Sequence, residues 1–229
     1  MAVSDLTASA QDYLKVIWSA TEWSGAPVTV GMMAARLGVS ASTASEGIRK
    51  LSNQGLVSHA RYGSIELTAE GREQAVAMVR RHRLLETFLV QALGYAWDEV
   101  HHEAEVLEHA VSDTLISRID ALLDHPVRDP HGDPIPAADG QSDRPDAIQL
   151  TAVEPGRTIR ICRVSDADPA RLRHFSRLGL TLDTEFTVVE RRSFSAAMTV
   201  RVHGQGENIE LGLPDSDAIW VVPGSRLRH

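Results

Sequence analysis

Apolar positions recur with a helical period over residues 7–23, where Tyr13, Leu14, Ile17 and Trp18 form one stripe that Ser24-Gly25 ends. A shorter helix is expected from about Thr29 to Leu37, stopped by Gly38. A third is expected over residues 40–54, with Ser40 or Ser42 as N-cap and Gly55 just past its end. Residues 56–68 then alternate around Tyr62-Gly63-Ser64, as the two arms of a hairpin do. Three helices followed by a hairpin form the pattern of a winged helix-turn-helix.

Thr68 resets the period as the N-cap of a long helix that runs to about Leu93 and breaks at Gly94. Trp97–Leu123 predicts one or two further helices, with a break near Ser112-Asp113. Residues 124–147 are rich in proline and nearly devoid of apolar period, which reads as a linker. After Leu150 the period changes from 3.6 to 2. Five short strands are expected over 156–164, 185–192, 198–203, 208–212 and 218–222, with a helical segment over 169–179. The expected fold is mainly α with β. It comprises a winged helix-turn-helix over 1–70, a helical domain over 71–124, a Pro-rich linker over 125–149 and an SH3-like small β-barrel over 150–229.

Composition narrows the class. With 43% hydrophobic and 24% charged residues, the 229-residue chain can bury a core. The single cysteine, Cys162, excludes an internal disulfide and any multi-cysteine zinc or iron–sulfur site. No apolar run approaches the roughly 18 residues a membrane helix needs, and no charged-then-apolar leader opens the chain, so a cytoplasmic protein with no membrane partner is expected. The formal net charge is −8, and most of the excess lies in residues 98–150, with thirteen Asp and Glu against three Arg. An acidic block of this kind suits a cation site and leaves room for a DNA-binding face elsewhere.

On the helix that follows Trp97, His101, Glu105, Glu108 and His109 fall within about 100° of one another, beside an apolar face of Val100, Ala104, Leu107 and Val111. The preceding helix adds His82 and Glu86 at i and i+4. One such stripe alone is more often a solvated face. Two on consecutive helices inside the acidic block balance that reading with metal binding, and oxygen and imidazole donors without thiolate suit Mn²⁺, Fe²⁺ or adventitious Zn²⁺. The chain has no His-Glu-x-x-His, no Gly-x-Ser-x-Gly elbow and no P-loop, so an enzyme is not expected. At the third helix, Ser40, Ser42, Thr43 and Ser45 offer short hydroxyl side chains for phosphates and base edges, with Arg49, Lys50 and the wing residue Arg61 as phosphate contacts. The plainer alternative is that the hydroxyls only cap the helix. Cys162 reads as a small buried hydrophobe, and His125, His131 and His229 are expected to have no specific role.

The whole chain resembles the diphtheria-toxin-repressor family of metal-dependent transcriptional regulators, in its manganese-responsive branch. The resemblance rests on the opening DYLKVIW, the RRHRLLETFL and HHEAEVLEHAVSD helices, the DPHGDPIP stretch and a C-terminal VEPGRTIRI…RLGL…DAIWVV domain of SH3-like, iron-transport-accessory-like kind. It implies that residues 71–124 bind metal and dimerise. It further implies a primary site of Asp12, Glu105, Glu108 and His109, and an ancillary site of His82, Glu86 and His101 with Asp166, near which Asp168 also falls. Iron-responsive relatives place a cysteine at Glu105 and a methionine at Asp12. Short relatives place a glutamate of a binuclear site where Lys15 stands. The function implied is a homodimeric repressor activated by Mn²⁺, with Co²⁺ or Zn²⁺ able to stand in, that binds a palindromic operator with one dimer or two. The alternatives are an Fe²⁺-responsive repressor of the same build and a metalloenzyme using the His/Glu cluster.

Overall fold

A computed structural model describes residues 6–59, 63–192, 197–204 and 206–224. The chain divides into two compact units. The first comprises residues 1–85, 104–127 and 135–142, and the second residues 86–103, 128–134 and 143–229.

The first unit opens with three helices, α1 (Ala8–Glu22), α2 (Val30–Leu37) and α3 (Ala41–Asn53), each started by a hydroxyl cap: Thr7, Thr29 and Ser40 accept from the backbone N–H three residues on. Gly38, at φ 64°, ends α2 in the left-handed conformation. A two-stranded antiparallel sheet follows, β1 (Val57–His59) on β2 (Ile65–Leu67), with Val57 opposite Leu67. The expected turn at Tyr62 and the wing residue Arg61 lie outside the described residues. Leu14, Ile17, Met33, Ala44, Ile48, Leu56 and Ile65 form the core of this head. At Gly47 a Cβ would come within 2.5 Å of the Tyr13 ring, so the missing side chain lets α1 and α3 approach closely.

Thr68 accepts from Gly71 N–H at 3.1 Å and starts α4 (Ala69–Leu93), which supplies residues to both units. Next come α5 (Val100–Glu108) and α6 (Asp113–Leu122), the latter capped by Ser112 at the expected break. Among the described residues no helix is long and apolar enough to cross a membrane.

The second unit is built on a six-stranded antiparallel sheet of order β3-β8-β4-β5-β6-β7. Its strands are β3 (Ile148–Gln149), β4 (Thr158–Val164), β5 (Glu185–Arg192), β6 (Ala197–Val202), β7 (Asn208–Gly212) and β8 (Ile219–Pro223). Two helices, α7 (Pro169–Leu178) and α8 (Leu213–Asp217), complete it, and Ile161, Phe175, Phe186, Val188 and Val200 are fully buried between them and the sheet. The stretch expected to be a linker is partly interior: residues 129–136 are buried apart from the half-buried Pro130. Within the second unit, Arg163 Nε donates to Asp133 Oδ1 at 2.7 Å and Val164 N–H donates to the His131 carbonyl at 2.9 Å, which docks residues 128–134 on β4.

Candidate metal centre and DNA-binding face

In the first unit α1 and the C-terminal end of α5, with the residue just past it, bring Asp12, Glu108 and His109 together, with one ligand atom of each within 4.8 Å of the others. His109 Nε2 lies 3.0 Å from Asp12 Oδ1 and 3.6 Å from Glu108 Oε1. The imidazole is held from behind: His109 Nδ1–H donates to Gln11 Oε1 at 2.7 Å, and Gln11 Nε2 donates to the Leu6 carbonyl at 3.1 Å. That chain of bonds assigns the proton to Nδ1 and turns the Nε2 lone pair toward the carboxylates, as in histidines that ligate metals. Glu108 is fully buried. Its Oε2 accepts from His82 Nδ1 at 2.5 Å and its Oε1 from Lys15 Nζ at 2.5 Å. Burial by itself would raise the Glu108 pKa, but His82 and Lys15 hold it below the ordinary value. Asp12 goes the other way, raised by burial against the opposing pull of His109 and Lys15. Glu105 lies half-exposed on the rim, its Oε1 3.7 Å from Lys15 Nζ.

His82 and Glu86, one turn apart on α4, belong to different units. In the second unit, Glu86 meets His101 and Asp166: His101 Nδ1 lies 3.2 Å from Glu86 Oε1 and 3.1 Å from Asp166 Oδ2. His131 joins them, since Glu86, His131 and Asp166 each offer a ligand atom within 4.8 Å of the others. The sequence reading gave His131 no specific role. It is fully buried, stacks on Trp97 at 6.1 Å between ring centroids, and its Nε2–H donates to the Trp97 carbonyl at 2.7 Å. Its Nδ1 has no hydrogen-bond partner and stands 3.8 Å from Glu86 Oε2. Burial would lower its pKa, yet Glu86, Asp129 and Asp166 push it up to about 10. Burial would likewise raise the Asp166 carboxyl, but His101 and His131 hold it well below the usual carboxylate range. Asp168 is differently employed, as N-cap of α7, accepting from Ala170 N–H at 2.9 Å. The signal that could have exposed His131 is its place in DPHGDPIP: Asp129 Oδ1 accepts from the backbone N–H of both His131 and Asp133, a turn that fixes the chain around the histidine.

Of the two roles the sequence reading allowed for the hydroxyls at the start of α3, capping is the one seen, at Ser40. Ser40 caps the helix, accepting from Thr43 N–H at 3.1 Å, and also lies 2.8 Å from the hydroxyls of Ser42 and Thr43. Ser40, Ser42, Thr43 and Ser45 are all exposed. Arg49 and Lys50 are exposed too, but Glu46 holds Arg49 in a two-pronged ion pair and lies 3.9 Å from Lys50. Tyr13 ties this face to α1, its hydroxyl donating to the Thr43 carbonyl at 3.2 Å.

Comparison with known proteins agrees along the chain. Residues 5–65 match the family described as iron dependent repressor, N-terminal DNA binding domain. Residues 68–137 match iron dependent repressor, metal binding and dimerisation domain, and residues 148–223 match the FeoA domain. Among curated proteins, the diphtheria toxin repressor of Corynebacterium glutamicum is 30% identical over 219 residues, covering 91% of this chain and 93% of its own. The iron-dependent repressor IdeR of Mycobacterium leprae is 32% identical over 73% of this chain and 70% of its own. Among solved structures, a manganese-dependent transcriptional repressor in complex with manganese superposes with a TM-score of 0.91 at 59% identity, covering 93% of this chain and 99% of that one. ScaR with bound Zn²⁺ superposes with a TM-score of 0.81 at 32% identity, covering 93% and 99%.

Proposed function

Because the chain belongs to the diphtheria-toxin-repressor family of metal-dependent, DNA-binding transcriptional repressors, we propose that it is a cytoplasmic, homodimeric repressor activated by Mn²⁺. One observation carries the reading: Asp12 comes from the first helix of the DNA-binding head, whereas Glu108 and His109 come from the segment matched to metal binding and dimerisation, and their donor atoms converge. The donors suit the ion: two carboxylates and an imidazole, with Glu105 at the rim and no thiolate, are an oxygen-rich set of the kind that accepts Mn²⁺, with selectivity left to geometry and metal supply. A bound divalent cation would neutralise these carboxylates and fasten α1 to α5. Tyr13, next to Asp12, would pass that constraint on, because it grips α3 through the Thr43 carbonyl and packs against Gly47. Two recognition helices held in this way fit successive major grooves of a palindromic operator, through Ser40, Ser42, Thr43, Ser45, Arg49, Lys50 and the wing Arg61. Exposed Val106, Leu115 and Leu122, all within the segment matched to dimerisation, supply apolar area for a second copy.

A second donor set is proposed at Glu86, His101 and Asp166, with His131 as a further member that the geometry recommends. Support for manganese comes from the 59%-identical repressor, whose structure holds that metal; the 32%-identical IdeR keeps iron as the competing reading. The deciding experiment titrates operator binding with Mn²⁺, Fe²⁺, Co²⁺ and Zn²⁺ under anaerobic conditions. Operator affinity should rise about 5–150-fold with Mn²⁺ and fall again with chelator. Equal affinity with and without every metal sinks the mechanism, and activation at a lower concentration of Fe²⁺ than of Mn²⁺ makes the chain an iron sensor.

A further inference from the structure

Besides His82, the Glu108 carboxylate has another side chain's ammonium at hydrogen-bond distance. Lys15, one turn beyond Asp12 on α1, places its Nζ 2.5 Å from Glu108 Oε1 and 3.7 Å from Glu105 Oε1, and its side chain is only 11% exposed. Glu108 Oε1 is also the oxygen that faces His109 Nε2 at 3.6 Å, so the ammonium and the Asp12–His109 pair share one carboxylate oxygen. With His82 on Oε2, both oxygens of a fully buried carboxylate are already satisfied by cationic or N–H donors. Such a carboxylate is stable without metal, and an ion arriving beside it meets a positive charge that cannot diffuse away.

We infer that Lys15 is a tethered cation that raises the metal concentration at which the primary site fills. The ammonium has two opposed effects. It neutralises Glu108 in the metal-free protein and so preserves the pocket. It also repels a divalent ion over a few ångströms of poorly hydrated protein, where like charges interact far more strongly than in water. A free ion in place of Lys15 would be lost to chelator, whereas a side chain stays, so the threshold is written into the chain. The inference rests on the primary-site reading above.

The test uses the full-length chain in an Asp166→Ala background, so that the primary set dominates an Mn²⁺ titration by calorimetry. Lys15→Met should tighten Mn²⁺ binding about tenfold or more, while lowering the melting temperature of the metal-free protein. Lys15→Arg, which keeps the charge, should leave the affinity near that of the parent. Lys15→Gln, which keeps a donor for Glu108, takes the place of Lys15→Met should the latter fail to fold, with the same tightening expected. A lysine with a merely structural role would lower the melting temperature without tightening the metal. Unchanged or weaker Mn²⁺ affinity in a folded, uncharged variant overturns the inference. The same titration on Asp12→Ala separates the two levels: if that change also leaves Mn²⁺ binding intact, the primary-site reading falls and the inference with it. If it abolishes binding while Lys15→Met changes nothing, only the role of Lys15 falls.

Discussion

His109 shows how one side chain depends on another that carries no charge. Its Nε2 faces Asp12 because its Nδ1–H is spent on Gln11, and Gln11 can accept there because its own amide N–H is spent on the Leu6 carbonyl. Gln11 is almost fully buried, so no water replaces it. Gln11→Met keeps the length and the burial but removes the acceptor. Partners of this kind typically change metal affinity by about 10–100-fold, and Mn²⁺ affinity measured by calorimetry should fall by that factor while the metal-free melting curve moves little. An unchanged affinity would mean that His109 does not use Nε2 toward a metal. Nothing in the pattern of residues 7–23 singles out Gln11. It reads as a polar residue on the first helix, and its importance depends on the backbone of Leu6 and a histidine 98 positions away in the chain.

At the scale of elements, the segment 128–134 carries the sharpest packing constraint. Gly132 has φ of 92°, and a Cβ there would collide with the carbonyl of Cys162 on β4. Gly132→Ala therefore combines backbone strain with a clash against backbone, both at the point where Arg163 and Val164 grip the segment. It should cost about 2 kcal/mol or more of second-unit stability and displace His131 from Glu86, read as a lowered denaturation midpoint with unchanged m-value. A variant as stable as the parent would mean that the segment can lift from β4 without penalty. The same scale shows what the sequence makes legible. Helix starts at Thr29, Ser40, Thr68 and Ser112 are readable because capping is chemistry within three residues, and the five longer strands announce themselves by alternation. Residues 129–136 are not readable as interior, since Asp, Pro and Gly have the composition of an exposed loop. Only β4, some thirty residues later, supplies the arginine and the N–H that hold residues 129–134. The two-residue β3 and the five-residue α8 are too short to show a period. Of the first donor set, Glu108 and His109 show on one helix face in the sequence, whereas Asp12 comes only with the family resemblance. The second was legible only in part, because His131 and Asp166 reach Glu86 through tertiary structure.

On the scale of the whole molecule, the two proposed donor sets divide as the chain does. Asp12, Glu108 and His109 lie in the first unit, and Glu86, His101, His131 and Asp166 in the second. Filling both with divalent ions would halve the formal charge of −8, which eases the approach of an acidic protein to DNA. Each ion would also stabilise the unit that holds it. A ligand that binds only the folded form adds about 2.7 kcal/mol at a hundredfold excess over its Kd, which corresponds to about a hundredfold slowing of hydrogen exchange wherever opening releases the ion. Exchange measured with and without Mn²⁺ should therefore slow in α1 and, independently, in β4 and the Asp129–Pro134 segment, while α5, which carries donors of both sets, slows when either fills. Asp12→Ala should remove the first protection and leave the second, and Asp166→Ala should do the reverse. If Asp12→Ala removes both, the sets are not separate sites and the second fills only through the first. If Mn²⁺ protects α1 and α5 alone, the second set is a network of internal ion pairs, and the buried His131 is held by Glu86, Asp129 and Asp166 as a charged core residue.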